Sequence, residues 1–156
     1  MTATNHALTG AAIAILVKRP ELAVPAAFLS HFAIDLVPHF NARKLPKRWI
    51  LPFIGVDLTL GNLLAVLLPL LLVTSASAWS IFFCMVAAMS PDYVWCWRYF
   101  QVRDSDKTFA GSMSWFSIFH MRIQWSDSLE GGFVELVWLS FVIWLIVALH
   151  WWKLQL

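Results

Sequence analysis

The sequence predicts an all-α integral membrane bundle: a short N-terminal helical hairpin followed by three long transmembrane helices. Three observations predict it. Hydrophobic residues make up 60% of the chain and charged residues 13%, with a mean hydropathy of +0.72, whereas globular chains run at about half apolar and about a quarter charged. The longest apolar runs approach or exceed the roughly 20 residues that cross a bilayer as helix. Finally, six of the ten tryptophans, Trp49, Trp79, Trp97, Trp125, Trp151 and Trp152, lie near the ends of those runs, where aromatic belts meet the membrane interface. One domain over 1–156 accommodates all of this.

Taken in order, the first apolar stretch, Ala7 to Val17, is about 16 Å long as a helix and too short to cross alone. After the Lys18-Arg19-Pro20-Glu21 turn comes Leu22 to Val37, also short and closed by Pro38, so the two read as a helical hairpin. A basic loop, HFNARKLPKRW, precedes a run from Leu51 to Val73 whose only charge is Asp57. Ser75 to Ser77 form a polar turn, and the next long segment runs from Ala78 to about Phe100, with a kink expected at Ser90-Pro91. From Gln101 to Ser128, charged and small residues (Arg103, Asp104, Asp106, Lys107, Gly111) give way to Trp115, Phe116, Ile118 and Phe119, a flexible part followed by an interfacial helix. Gly131 to Trp152 closes the chain as the last spanning helix. Gly10, Gly61 and the Gly131-Gly132 pair are expected where helices approach closely.

Several function classes drop out. The net charge of +2 is small and dispersed, which argues against nucleic acid as a partner. Cys84 and Cys96 lack the CxxC spacing of a thiolate site and read as small buried hydrophobes. The MTATNHALTG start has no basic n-region of a secretory signal and is read as mature sequence. Arg43, Lys44, Lys47 and Arg48 fall in one loop and Arg98, Arg103, Lys107 and Arg122 in or beside another, so both loops are expected on the cytoplasmic side of a multi-pass protein of the cell (inner) membrane. Lys18 and Arg19, at the other end of the hairpin, run against that rule.

Ionisable groups inside apolar segments pair, line cavities or bind ligands. Up-and-down threading brings His6, His31, Asp35, Asp57, Asp92, Glu135, His39 and His120 to one end, and leaves His150 at the other. His31 and Asp35 are spaced i, i+4 and share a helix face, so they can grip one ion. Joined by further histidines and aspartates from separate helices, they form a nitrogen and oxygen donor set suited to zinc or a similar divalent transition metal, with donors enough for more than one ion. Such an ion activates water and polarises a phosphoryl oxygen. Glu135 reads either as a general base or as a carboxylate favoured at a helix start, and Arg122, beside His120, as a partner for a substrate phosphate. His39, after Pro38, reads as a supporting or exposed group.

The stretches NHALTG (His6, Gly10), FLSHFAIDLVPH (His31, Asp35, His39), the lone Asp57, SPD (Asp92) and FHMRIQ (His120, Gln124) resemble the small membrane-bound metal-dependent hydrolases related to zinc-dependent phospholipase C. The likeness is scattered across most of the chain, and SHxxxDxxPH is its most specific part. It implies that His6, His31, Asp35, Asp57, Asp92 and His120 are metal ligands. The expected activity is therefore hydrolysis of a phosphoester or other ester of an amphipathic, phospholipid-like substrate, with membrane lipids as surroundings. Two other readings stay open: a non-catalytic metal carrier or sensor, and a structural membrane subunit whose polar cluster locks helix packing.

Overall fold

The computed structural model describes residues 1–72, 74, 76–103, 114–126 and 128–155, without the side chains of Arg43, Trp95, residues 98–103, Ser117 and Met121. The expected flexible stretch with Asp104, Asp106, Lys107 and Gly111 therefore lies outside the described residues, as do Ser75 and the side chains of Arg98 and Arg103. The described chain is all-helical: α1 (Ala3–Val17), α2 (Pro20–Asp35), α3 (Lys47–Leu71), α4 (Ala78–Arg103), α5 (Trp115–Ile123) and α6 (Gly131–Leu154). A short 3-10 turn at Ala42–Lys44 and one isolated bridge between Phe40 and Ser128 complete it.

The first helix, too short to cross a bilayer alone, is the centre of the bundle. α1 packs against α2, α3, α4 and α6, and eleven of its 15 residues are buried, His6, Ala7, Gly10, Ala11 and Ala14 among them. The cause is composition: alanine and glycine on every side leave no polar face to turn outward and let neighbouring backbones approach closely. A Cβ at Gly10 would run into the Cys84 carbonyl and stand 3.0 Å from Met85 Cα, so this glycine sets how near α4 can come. Gly61 does the same from α3, where a Cβ would lie 2.8 Å from Met89 Sδ.

The hairpin turn is tight. Lys18 takes a left-handed conformation (φ 61°) and its N–H donates to the Ala14 carbonyl, which closes α1; Pro20 then starts α2 at a position that needs no N–H donor. On α2 the buried residues Ala23, Ala27, His31 and Asp35 recur every four positions, a stripe that begins as small packing residues and ends as ionisable ones.

Two helices, α3 and α6, are long and apolar enough to cross a membrane, and only 17% of the apolar window of each is buried inside the protein. A core helix of a soluble protein would be mostly buried, whereas here Val56, Leu70, Leu71, Phe133, Leu136 and Trp144 all face outward. The third long spanning helix expected from the sequence is not matched in the same way. α4 is long, and among the described residues its continuous apolar part is Ala78–Val94, shorter than the spans of α3 and α6. The helix continues through Pro91. Proline removes the donor for the Ala87 carbonyl, and the Ser90 hydroxyl donates to that carbonyl instead at 2.8 Å.

Close packing at Gly10 makes a direct prediction. Gly10→Ala should lower stability by about 1–3 kcal/mol through overpacking, while Gly55→Ala, with nothing within 4 Å of its added methyl, should leave the unfolding midpoint unchanged or raised. Denaturation of both variants in the same detergent checks this; equal midpoints would show that α1 and α4 are not in such contact.

Candidate metal centre

Five ionisable side chains from four helices meet at the end of α1. His6 comes from its first turns, His31 and Asp35 from the end of α2, Asp92 from α4 and His120 from α5. His6, His31 and Asp35 are fully buried, and His120 is 2% exposed. Asp35 is the hub. Its Oδ1 lies 3.2 Å from His6 Nε2, and its Oδ2 lies 3.3 Å from His31 Nε2 and 3.1 Å from His120 Nε2. Asp92 stands slightly farther off, with Oδ1 3.8 Å from His31 Nε2 and Oδ2 3.9 Å from His6 Nε2. The Met1 amino group also contacts Asp35 Oδ1.

The hydrogen bonds within the cluster are unevenly shared. His31 Nδ1 donates to the Ala88 carbonyl at 2.8 Å, and in a neutral ring that leaves a lone pair on Nε2, aimed at the cluster. That lone pair faces His120 Nε2 at 3.0 Å as well as a carboxylate oxygen. His6, whose ring stacks on that of His31 with centroids 3.8 Å apart, has no hydrogen-bond partner on either nitrogen although both are buried. The Met1 ammonium and Gln124 donate to Asp35, but the buried His6 nitrogens make no hydrogen bond, and leaving buried polar atoms unpaired costs about 1–3 kcal/mol each. A metal ion at this point would give His6 Nε2 a partner.

Spacing agrees with this chemistry. Donor atoms held at about 2.0–2.2 Å from one tetrahedral ion stand roughly 3.3–3.6 Å apart, and the Asp35-centred distances of 3.1 to 3.3 Å lie near that range. Two overlapping groups, His6, His31 and Asp35, and His31, Asp92 and His120, each bring their ligand atoms within 4.8 Å of one another.

Other sequence candidates sit elsewhere. Asp57, expected among the ligands, lies beneath the first turn of α1. Its Oδ2 accepts the Ala3 N–H at 2.7 Å, and its Oδ1 accepts the Thr4 N–H at 3.1 Å and the Thr4 hydroxyl at 2.7 Å. α1 has no capping side chain of its own, so its free N–H groups draw this carboxylate. Glu135 is engaged in the same manner: Oε2 accepts from the Thr2 N–H and from Asn5 Nδ2, and Oε1 from the Phe40 N–H. Arg122 is exposed on α5. His39 is buried and donates from Nδ1 to the Val37 carbonyl; burial first, then the nearby Met1 amino group, hold its imidazole below the ordinary histidine value and keep it neutral.

Gln124 is the residue that the candidate set lacked. It follows His120 by four positions, donates to Asp35 Oδ2 at 3.1 Å and lies 3.3 Å from His120 Nε2. The i, i+4 spacing within FHMRIQ was the available signal. A cavity of about 90 Å³, with Asp92, His120, Gln124, His39 and Asp57 in its wall, opens beside the cluster. Comparison with protein families, with curated proteins and with solved structures finds no match, so the chemistry rests on this geometry.

Asp57→Ala should cost about 0.5–2 kcal/mol of stability, the worth of a helix cap, and leave the metal content of purified protein intact. A loss of metal equal to that of Asp35→Asn would instead place Asp57 among the ligands.

Proposed function

We propose that this chain is a membrane-embedded, metal-dependent hydrolase in which His6, His31, Asp35 and His120 hold zinc or a similar divalent ion and Asp92 stands beside it on the cavity side. The observation that carries the proposal is the His6 ring, fully buried with both nitrogens unpartnered while its Nε2 lies among the Nε2 and carboxylate atoms of the other residues. Such an ion, when bound, lowers the pKa of bound water toward neutrality and polarises a phosphoryl or carbonyl oxygen.

The chain's own residues supply the rest. Ala88 orients His31 through its carbonyl, and Gln124 holds Asp35, the outer-shell arrangement that fixes ligand geometry. Of the two cluster carboxylates, Asp35 is fully buried and Asp92 is 19% exposed toward the cavity. Asp92 is therefore the group that takes the proton from attacking water. Arg122, exposed two residues after His120, is available for an anionic headgroup. Glu135, with both carboxylate oxygens accepting hydrogen bonds, serves as a structural tie between α6, α1 and the Phe40 backbone. That assignment favours a second reading in one respect, a metal-binding membrane protein without catalysis, since one expected acid–base residue is committed elsewhere.

The outward apolar faces of α3 and α6 support placing these helices across the bilayer, with α4 as a further crossing helped by its neighbours. Exposed Lys44, Lys47 and Arg48 follow Asn41 and Ala42, which line the cavity. By the positive-inside rule the site then faces the cytoplasm of a multi-pass protein in the cell (inner) membrane. The substrate is a phosphoester or other ester of an amphipathic molecule in that leaflet.

Protein purified without chelator should carry near-stoichiometric zinc or a similar ion by elemental analysis, and Asp35→Asn should lose it. Asp92→Asn should keep most of the metal and lower hydrolysis of a chromogenic phosphodiester by about 10²–10⁴-fold. Metal-free wild-type protein would overturn the site, and a metal-loaded protein inert to phosphoesters and carboxylic esters alike would favour the non-catalytic reading.

A further inference from the structure

α3 and α6 both pack on α1 but, among the described residues, not on each other. The gap between them is a groove of about 320 Å³, more than three times the 90 Å³ of the cavity beside the metal cluster. The two spaces share a wall. Thr2, Phe40, Phe53 and Asp57 line both, with the Phe40 and Phe53 rings 5.0 Å apart at 53°. Away from that wall the groove runs between Leu60 of α3 and Leu136 and Leu139 of α6. Leu60 is 46% and Leu136 62% exposed, so the groove opens on the outward apolar face of the two helices.

Its polar atoms lie at the α1 end and are mostly spent. Asp57 accepts from Thr4, and Glu135 from Thr2 and Asn5, leaving apolar walls for an occupant.

We infer that the groove between α3 and α6 holds the single alkyl chain of an amphiphile whose polar headgroup passes the Phe40–Phe53 partition into the cavity at Asp92, His120 and Gln124. The inference rests on the hydrolase reading for the fate of the headgroup, and on the groove alone for the chain. An apolar slot opening between two helices that face lipid admits a chain sideways from the bilayer and excludes water-soluble esters of the same head. A monoacylglycerol phosphate, one alkyl chain on a phosphoester head, has this form.

Gly132 gives the means to test it. A Cβ there would come no closer than 4.0 Å to Phe40 Cδ2, so Gly132→Leu fills the groove without forcing backbone apart, and Leu60→Trp fills it from α3 as an independent variant. The full chain in phosphatidylcholine nanodiscs is photolabelled with a monoacylglycerol phosphate carrying a diazirine at the chain end, and the adducts are mapped by peptide mass spectrometry. The expected result is saturable labelling at Leu60, Leu136 and Leu139, displaced by the unlabelled lipid. In either filling variant it should fall about tenfold, the mark of about 1.4 kcal/mol of lost binding, with metal content unchanged. Labelling spread over Leu70, Leu71 and Trp144 and indifferent to competitor, or groove labelling unchanged in both variants, would overturn the inference. The measurement needs no turnover. Run in parallel on Asp92→Asn, saturable groove labelling stands even if wild-type protein hydrolyses nothing, an outcome that would remove the hydrolase reading and keep the groove.

Discussion

The Asp35 carboxylate is the constraint on which the rest of the structure depends. It is fully buried, and a carboxylate removed from water is tolerable only when partners surround it. Those partners come from three separate helices and the segment after one of them: His6 from α1, His31 from its own helix one turn earlier, His120 from α5 and Gln124 just beyond. Satisfying one charge thus fixes where α1 starts, where α2 ends and how α5 docks. The same crowding surrounds His6, whose buried nitrogens make no hydrogen bond. The side chain that holds the helices together is also the hub of the proposed metal site.

A second set of carboxylates acts on the helix rather than on the centre. α1 begins without a capping side chain of its own, and a helix start carries unpaired N–H groups and partial positive charge. Asp57 from α3 and Glu135 from α6 satisfy it from two sides. These contacts explain how two helices that do not pack on each other are nonetheless held at fixed positions around α1. They also explain the groove: the carboxylates join α3 and α6 to α1 at one end, and the apolar residues beyond diverge. Glu135 further ties the Phe40 backbone to α6, while Gly131 admits the His39 backbone so closely that a Cβ would stand 2.7 Å from His39 Cα.

Small residues make the geometry possible. Ligand side chains reach one point only if the helices that carry them approach closely, and the alanines and glycines of α1, with Ala23 and Ala27 of α2, supply that closeness. Larger residues would hold the helices at the usual 8–10 Å separation and draw the donors apart. The apolar side chains that remain, on α3 and α6, face outward, which inverts the pattern of a soluble bundle and matches a lipid surrounding.

By itself the sequence determined the helical class, the approximate segment boundaries, the end of the bundle where polar groups gather and the His31–Asp35 pair. Each of these follows from periodicity, from length or from the cost of burying charge, and such information is local. The sequence also singled out Gly10 and Gly61 as close-contact positions. Only the tertiary structure decided which carboxylates serve the centre and which serve a helix end. Asp57 and Asp92 look alike along the chain, each an aspartate in an apolar run. One meets free N–H groups and the other meets imidazoles, and that depends on the depth at which helices dock. For the same reason the central place of α1 came only from the fold: that it is too short to span is visible in sequence, but what surrounds it is not. Gln124 was legible as a spacing and became a partner of Asp35 only once α5 had docked beside α2.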